Sequence, residues 1–500
     1  MRVPAHMVQS VSIARSWGLV IRRGSLILRC GGSLAAILVV LTCAVTPSFA
    51  GWSAPRFISG PAFLAELTIP HGPLPFATDA RGDVAIAWPE FRPVGHPPNW
   101  WYDSSVRLAS AGPTGRIVTR TVWRHAHSLI ASVTVVLDAH GELTVAWIEA
   151  PSPSGSPFTV RARYRSASGR WSAPQVVGRS RTAFYYARPE LAVAPNGEVL
   201  LTWNAGSTVG VDAAWRSPGH PFRAASLVSH SQRALIFDPT PVFDPSGAAH
   251  VYGTNVTSAP RPAPPKPPPR TRGVMLSTRA HSHRFGAPVI VGPPAADALV
   301  VSFSTGTQAL AAWLREPYPY DAESPLGTPY ARVMLHGSWK TPVALEPHSE
   351  GSLVTAAGRN GGGGGVGWLV TSPGGYSPRG AMTATADATG HFSASTAPAS
   401  GLVPVARDGA GDVVLQDIVL PEDLKLGITP SGPITASPVA VDPVTRGAPE
   451  PSPLAPFVGG TPLTLSESVF ATAESPTGRR VALVWLNGLT GRVGVSTWRP

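Results

Sequence analysis

The chain has 500 residues, with 51 Gly, 55 Pro, only 2 Cys and a formal net charge of +11. Both cysteines, Cys30 and Cys43, lie in the first 50 residues, so the remainder can form no disulfide, no thiolate metal site and no thiol nucleophile. Those 50 residues also hold five of the 40 Lys and Arg and none of the 29 Asp and Glu, so their removal lowers the charge to +6; no Lys/Arg run with interleaved aromatics is present, and nucleic-acid binding is not expected.

Residues 1–50 read as a secretory signal peptide. Arg2, Arg15, Arg22, Arg23 and Arg29 lead into the apolar run 34–45, and Ser48-Phe49-Ala50 supplies a small-x-small cleavage site before Gly51. The run is short for a bilayer span, which needs about 20 residues. The expectation is therefore a secreted or extracytoplasmic protein with no stable membrane span after cleavage; anchoring by an uncleaved segment is the alternative. The Arg-, Ala-, Gly- and Pro-rich, Lys-poor composition is that of a GC-rich bacterial genome.

From residue 51 onward one phrase recurs eight times: a tight turn, often Asp-x-x-Gly, then alternating apolar residues ending near Trp. Asp79-Ala80-Arg81-Gly82 runs to Trp88, Asp138-Ala139-His140-Gly141 to Trp147, Pro195-Asn196-Gly197 to Trp203, and Gly478 to Trp485. Weaker copies start at Asp244 (ending near Tyr252), Gly306 (to Trp313), Gly362 (to Trp368) and Asp408. The alternation is that of a strand with one face on a core. A second phrase, Gly-x-aromatic, interleaves with the first at Gly51-Trp52, Gly115, Gly169-Arg170-Trp171, Gly219, Phe285, Gly337-Ser338-Trp339, Gly390-His391-Phe392 and Gly432. Two hairpins per period give four strands, a to d, with the Asp-x-x-Gly turn joining a to b and the Gly-x-aromatic turn joining c to d. Four-stranded units repeated at this period predict an all-β chain folded as a single β-propeller over 51–500, with eight blades, or seven if the weak sixth and seventh copies merge.

The first d-type strand, at Trp52, precedes any a–b hairpin, and the last unit stops at strand c. The N-terminal strand is thus expected to close the last blade, pairing two otherwise bare edges. Two Pro-rich stretches, 258–272 and 438–462, are expected as extended loop insertions. Gly361 to Gly365 lacks the Lys-Ser/Thr and helix of a phosphate loop.

Tight a–b and c–d turns lie at one end of such blades and the longer b–c and d–a connections at the other, where function is expected. Candidate ligand-binding residues there are Glu90, Trp100, Trp101, Tyr102, Glu149, Tyr185, Tyr186, Arg188, Glu316, Tyr318, Tyr320 and Asp321. Aromatics beside carboxylates and arginines suit a carbohydrate or a cell-surface protein. Trp100 and Trp101 are read as loop residues, whereas Trp88, Trp147, Trp203 and Trp485 are read as framework packed between blades. No catalytic residue is singled out, no His-Glu-x-x-His motif points to a metal, and no cofactor is expected.

The combination Gly-x-Trp-Ser-x-Pro followed by Ala-x-Asp-x-x-Gly and Trp six residues on resembles the repeats of secreted bacterial β-propellers loosely related to sialidase-type and BNR-repeat proteins, over essentially the whole chain after residue 50. The resemblance implies the propeller fold. No arginine triad with a Tyr-Glu pair accompanies it, so the reading is a monomeric, non-catalytic extracellular propeller binding a glycan, cell-envelope component or protein. The alternative is a sialidase-like glycoside hydrolase or lyase using loop carboxylates, which would need two carboxyl groups about 5 to 10 Å apart.

Overall fold

The computed structural model describes residues 51–52, 56–57, 76–79, 83–94, 101–111, 117–151, 157–180, 188–206, 210–228, 236–257, 270–278, 282–294, 296–315, 327–346, 351–358, 363–371, 378–394, 402–407, 413–418, 436–441, 471–474, 481–487 and 492–499. The expected signal peptide lies outside them.

Among these residues all regular structure is β, in eight antiparallel sheets that follow one another along the chain. Sheet 1 comprises Phe76–Thr78, Val84–Val94, Trp101–Ala111 and Ile117–His125; sheet 2 Ser128–Leu137, Leu143–Pro151, Phe158–Arg165 and Gln175–Ser180; sheet 3 Glu190–Val193, Val199–Gly206, Gly210–Arg216 and Ser226–Leu227. Sheet 4 holds Ile236–Phe243, Ala249–Thr257, Arg270–Ser277 and Val289–Pro294, and sheet 5 Ala296–Thr305, Gln308–Arg315, Thr328–Leu335, Ser338–Trp339 and Val343–Ala344. Sheets 6 (Gly351–Gly358, Gly364–Thr371, Pro378–Ala386) and 7 (Leu402–Arg407, Val413–Ile418, Ala436–Val441) have three described strands each. Sheet 8 joins the two ends of the chain: Ala471–Glu474, Val481–Asn487 and Arg492–Arg499 are completed by Gly51–Trp52 and Arg56–Phe57, with Trp52 opposite Trp498 and Phe57 opposite Gly494.

The recurrent turn has one physical cause. In Asp138-x-x-Gly141 the Asp Oδ1 accepts the backbone N–H groups of His140 (2.9 Å) and Glu142 (2.7 Å), and Asp244 does the same for Ser246 and Ala248. The fourth residue then needs a left-handed backbone, φ 86° at Gly141 and 85° at Gly247, which glycine adopts without strain. The two carboxylates differ in environment. Burial raises the pKa of Asp138 above the ordinary value; burial also pushes Asp244 up, but bonds from His250, Ser246 and Ala248 outweigh it and hold that carboxyl below 3.8. The same device closes a c–d turn at Asp387, whose Oδ1 accepts from Thr389 and His391.

Alternation then sets how sheets pack. On the b strands of sheets 1, 2 and 5 the face opposite the Trp carries Ala, Ile or Leu, and the Trp of the sheet that follows lies on it. Trp147 packs with Ala85 and Ala87 of sheet 1, Trp203 with Ala146 and Ile148 of sheet 2, and Trp368 with Leu310 and Ala312 of sheet 5. Trp147, Trp203, Trp313 and Trp368 are fully buried and Trp88 nearly so; the side chain of Trp485 lies outside the description. Sheet 4 departs from expectation. Ala249 and Val251 face sheet 3, so the position on that face is Gly253, and Trp215 of sheet 3 fills the space against Phe243 and Phe285. Tyr252 points the other way, into the core shared with sheet 5, where burial pushes its hydroxyl up to about 12.

The d strands receive these tryptophans by bulging. Val122 and Val177 are extra residues in the c–d pairing of sheets 1 and 2, and an irregularity between Ile290 and Pro294 does the same in sheet 4. Two bulge carbonyls are taken by arginines of the next sheet: Arg163 Nη1 donates to Val122 O (2.6 Å) and Arg332 Nη1 to Val291 O (2.9 Å). Each Nε donates into its own c–d turn, to Ser172 O or Lys340 O, and each guanidinium stands over the turn aromatic, Trp171 or Trp339. Burial lowers the pKa of both arginines. At the short-turn end, the residue after the turn glycine latches the next sheet: Glu142 accepts from Arg216 and Gly219 N, and Glu198 pairs with His283 (2.7 Å).

Three expectations are corrected. The Pro-rich loop expected at 438–462 begins inside strand Ala436–Val441, which is the third strand of sheet 7, so Gly432 precedes that strand rather than joining c to d. Likewise the stretch expected as a loop at 258–272 overlaps strand Arg270–Ser277. Not every d–a connection is long: only Ala126 and His127 join sheets 1 and 2, turned by a left-handed His127 (φ 55°).

Candidate functional site

That short connection builds the most developed polar cluster among the described residues at the end of the sheets where b–c and d–a connections emerge. Because Val122 is unpaired between Thr121 (opposite Arg107) and Trp123 (opposite Val106), the strand changes face there. Trp123 and His125 are thereby turned toward sheet 2, where Trp147 and Glu149 lie on one face of strand Leu143–Pro151 and Arg161 stands directly opposite Trp147.

The cluster rises in layers from the core. Trp147, fully buried, supports Trp123 at 6.0 Å between ring centroids, and the Arg161 guanidinium lies 5.1 Å above the Trp123 ring. Glu149 is buried beside them. Its Oε2 accepts from Trp123 Nε1 (3.2 Å) and stands 2.6 Å from Arg161 Nε, an ion pair without hydrogen-bond alignment, while Oε1 contacts His125 Nδ1. The Glu149 side chain is 6% exposed and that of His125 51%. Ser104 donates to Ser128 O and Asp103 accepts from His127 N, holding the turn from below. A buried carboxylate, neutralised by a guanidinium, thus fixes an imidazole at the surface. Such a second partner orients a histidine and sets which nitrogen carries the proton.

Glu90 occupies the position in sheet 1 that Glu149 holds in sheet 2, two residues past the Trp. It is open, 56% exposed, accepting from Ser105 Oγ (3.0 Å) and 3.6 Å from Arg107 Nε. The structure therefore separates the two carboxylates expected to act alike: one is an exposed surface pair and the other a buried anchor. In sheet 5 the equivalent pair is Arg315 and Tyr330, with Arg315 Nη1 donating to the Tyr330 hydroxyl.

Of the other expected residues, Trp101 and Tyr102 are not in a loop but open strand Trp101–Ala111, opposite Val94 and Pro93, because strand b runs on past Trp88. Arg188 is half-buried just before strand Glu190–Val193. Trp100, Tyr185, Tyr186, Glu316, Tyr318, Tyr320 and Asp321 lie outside the described residues. Trp123, His125 and Arg161 were missed by sequence reasoning, although His125-Ala126-His127 is a His-x-His pair. Among the described residues no three His, Asp or Glu are placed to hold a metal, and no helix is long and apolar enough to cross a membrane.

No family model and no curated protein matches the sequence. Among solved structures the chain is similar to the polysaccharide lyase Uly1 (10% identity, 86% of this chain and 90% of that one, TM-score 0.45). It is also similar to the Hadza microbial sialidase Hz136 (8%, 79% and 73%, 0.38) and to the Penicillium chrysogenum alpha-L-arabinanase (14%, 62% and 92%, 0.34).

Proposed function

We propose that this chain is a secreted, non-catalytic β-propeller of eight blades that binds a glycan of the cell envelope or its surroundings at the junction of sheets 1 and 2. The ring reading is supported by eight sheets in chain order and by the pairing of Gly51–Trp52 with Arg492–Arg499. The placement of Ala471–Glu474 beside Phe76–Thr78 supports it too.

The observation that carries the binding site is the imidazole of His125, presented to solvent by a buried carboxylate. Burying Glu149 costs free energy that its partners must offset. A framework alone does not need it, since the equivalent Glu90 stays at the surface. Both Glu149 oxygens are engaged, which favours a positioning role over proton transfer to a substrate.

The test is titration calorimetry of the purified protein with neutral and acidic oligosaccharides, followed by His125→Gln. Binding that falls at least tenfold in the variant, with unchanged melting temperature, supports the reading. Release of reducing ends or unsaturated products by the wild type, abolished in Glu149→Gln, would instead establish the hydrolase or lyase alternative. N-terminal sequencing of the exported protein tests cleavage before Gly51.

A further inference from the structure

We infer that His125 is held as its Nδ1–H tautomer, so that its Nε2 lone pair faces solvent as a hydrogen-bond acceptor for the hydroxyl of a neutral, polyol-bearing ligand. This deepens the proposed binding role and rests on it for the ligand, but not for the tautomer.

The argument is one of donors and acceptors. Glu149 is ion-paired with Arg161 at 2.6 Å, and an ionised carboxylate only accepts hydrogen bonds. Its Oε1 faces His125 Nδ1, so in the neutral ring the proton sits on Nδ1 and the other nitrogen is left with a lone pair. Free histidine prefers the opposite tautomer, which makes the assignment distinctive. The ring cannot turn Nε2 inward without losing Glu149, and the Trp123 ring flanks it at 6.1 Å. Oε2 of the same carboxylate is held by Trp123 and Arg161, so the anchor itself is fixed. An imidazole acceptor of this kind, half exposed, selects a ligand that donates. Sugar hydroxyls do so; sulfate and carboxylate groups, which only accept at neutral pH, do not.

The test begins with long-range 1H–15N spectra of histidine side chains at pH 8, with His125 identified by its absence in His125→Gln. A protonated Nδ1 and bare Nε2 in the wild type is expected, reverting to Nε2–H in Glu149→Gln; Nε2–H in the wild type overturns the inference, and that readout does not depend on whether Glu149→Gln folds. The second arm titrates cellohexaose and chitohexaose against polygalacturonate and inorganic sulfate. Neutral hexaose binding, weakened at least tenfold in His125→Gln, is expected. Preference for the anions overturns the ligand assignment even with the tautomer present. The expected tautomer with no binding of any probe overturns the glycan reading and leaves the proton assignment standing.

Discussion

Replacing Trp147 with Ala tests whether the tryptophan rows are framework. The side chain is fully buried and faces Ala85 and Ala87, which are too small to collapse into the space it leaves. An indole buries about 200 Å², or about 5 kcal/mol at 25 cal/mol per Å². Large-to-small aromatic replacements in cores cost about 3–5 kcal/mol. For about 450 residues unfolding together, an entropy of about 2.1 cal/mol/K per residue gives about 1 kcal/mol per degree, hence a drop of about 3–5 °C in Tm. The indole N–H has no hydrogen-bond partner, so Trp147→Phe, which removes that unpaired donor and keeps most of the volume, should lose less than half as much. Scanning calorimetry of wild type, Trp147→Ala, Trp147→Phe and the surface control Arg170→Ala reads these values. A Trp147→Ala protein melting with the wild type, or Trp147→Phe melting below Trp147→Ala, would refute packing between sheets as the role of these residues.

Gly178→Ala should destabilise by about 1–3 kcal/mol, since its Cβ would lie 2.3 Å from Trp203 Cζ2, and Trp203→Phe in the same chain should recover part of the loss in urea titrations. Arg163→Lys keeps the charge but not the fork joining Val122 O to Ser172 O, and a Tm equal to that of wild type would show the clamp to be idle. Asp138 and Asp244 should respond to pH with opposite sign. The raised Asp138 binds its proton more readily when folded, so its contribution to stability improves as pH falls from the raised value toward 3.8, and Asp138→Asn, which retains Oδ1, should be neutral or stabilising at pH 7. The lowered Asp244 contributes stability above 3.8 that is lost as pH falls through its folded value, so the difference between wild type and Asp244→Asn should shrink in acid; a constant difference from pH 7 to 3 contradicts the assignment. Deleting residues 51–60 should lower Tm more than removing an equal length from the stretch 258–269, because it leaves strand Arg492–Arg499 with an unpaired edge.

The strands and their order were legible because turn chemistry repeats. Asp138 and Asp244 announce the a–b turn by residue type, and the alternation after them announces which side is core. What could not be read was the partner of each face. Gly253 shows why: the Trp position of one sheet can be emptied if Trp215 on the sheet before it supplies the volume, and two such changes lie 38 residues apart with no local signature. The arginine clamps were invisible for a related reason. Arg163 and Arg332 look like solvated strand residues until the bulge opposite them exposes a carbonyl, and a bulge is a pairing property of two strands.

The same reasoning explains why the candidate site was half read. Glu149 was found because it follows a repeat Trp by two residues, but that rule equally selects Glu90, and only the strand change at Val122 distinguishes them. With the bulge, Trp123 and His125 of sheet 1 meet Glu149 and Arg161 of sheet 2, and the carboxylate is enclosed. Glu90, by contrast, stays in water beside Arg107. A bulge that first makes room for the next tryptophan therefore also aims the side chains beyond it at the neighbouring sheet. Between sheets 2 and 3 the bulge contributes to packing, with Val177 beneath Trp203. Where the residues beyond the bulge are Trp-Arg-His and the connection to the next strand is only two residues, the imidazole is held at the surface rather than left on a loop. Framework geometry and ligand-facing geometry are at this junction the outcome of one inserted residue.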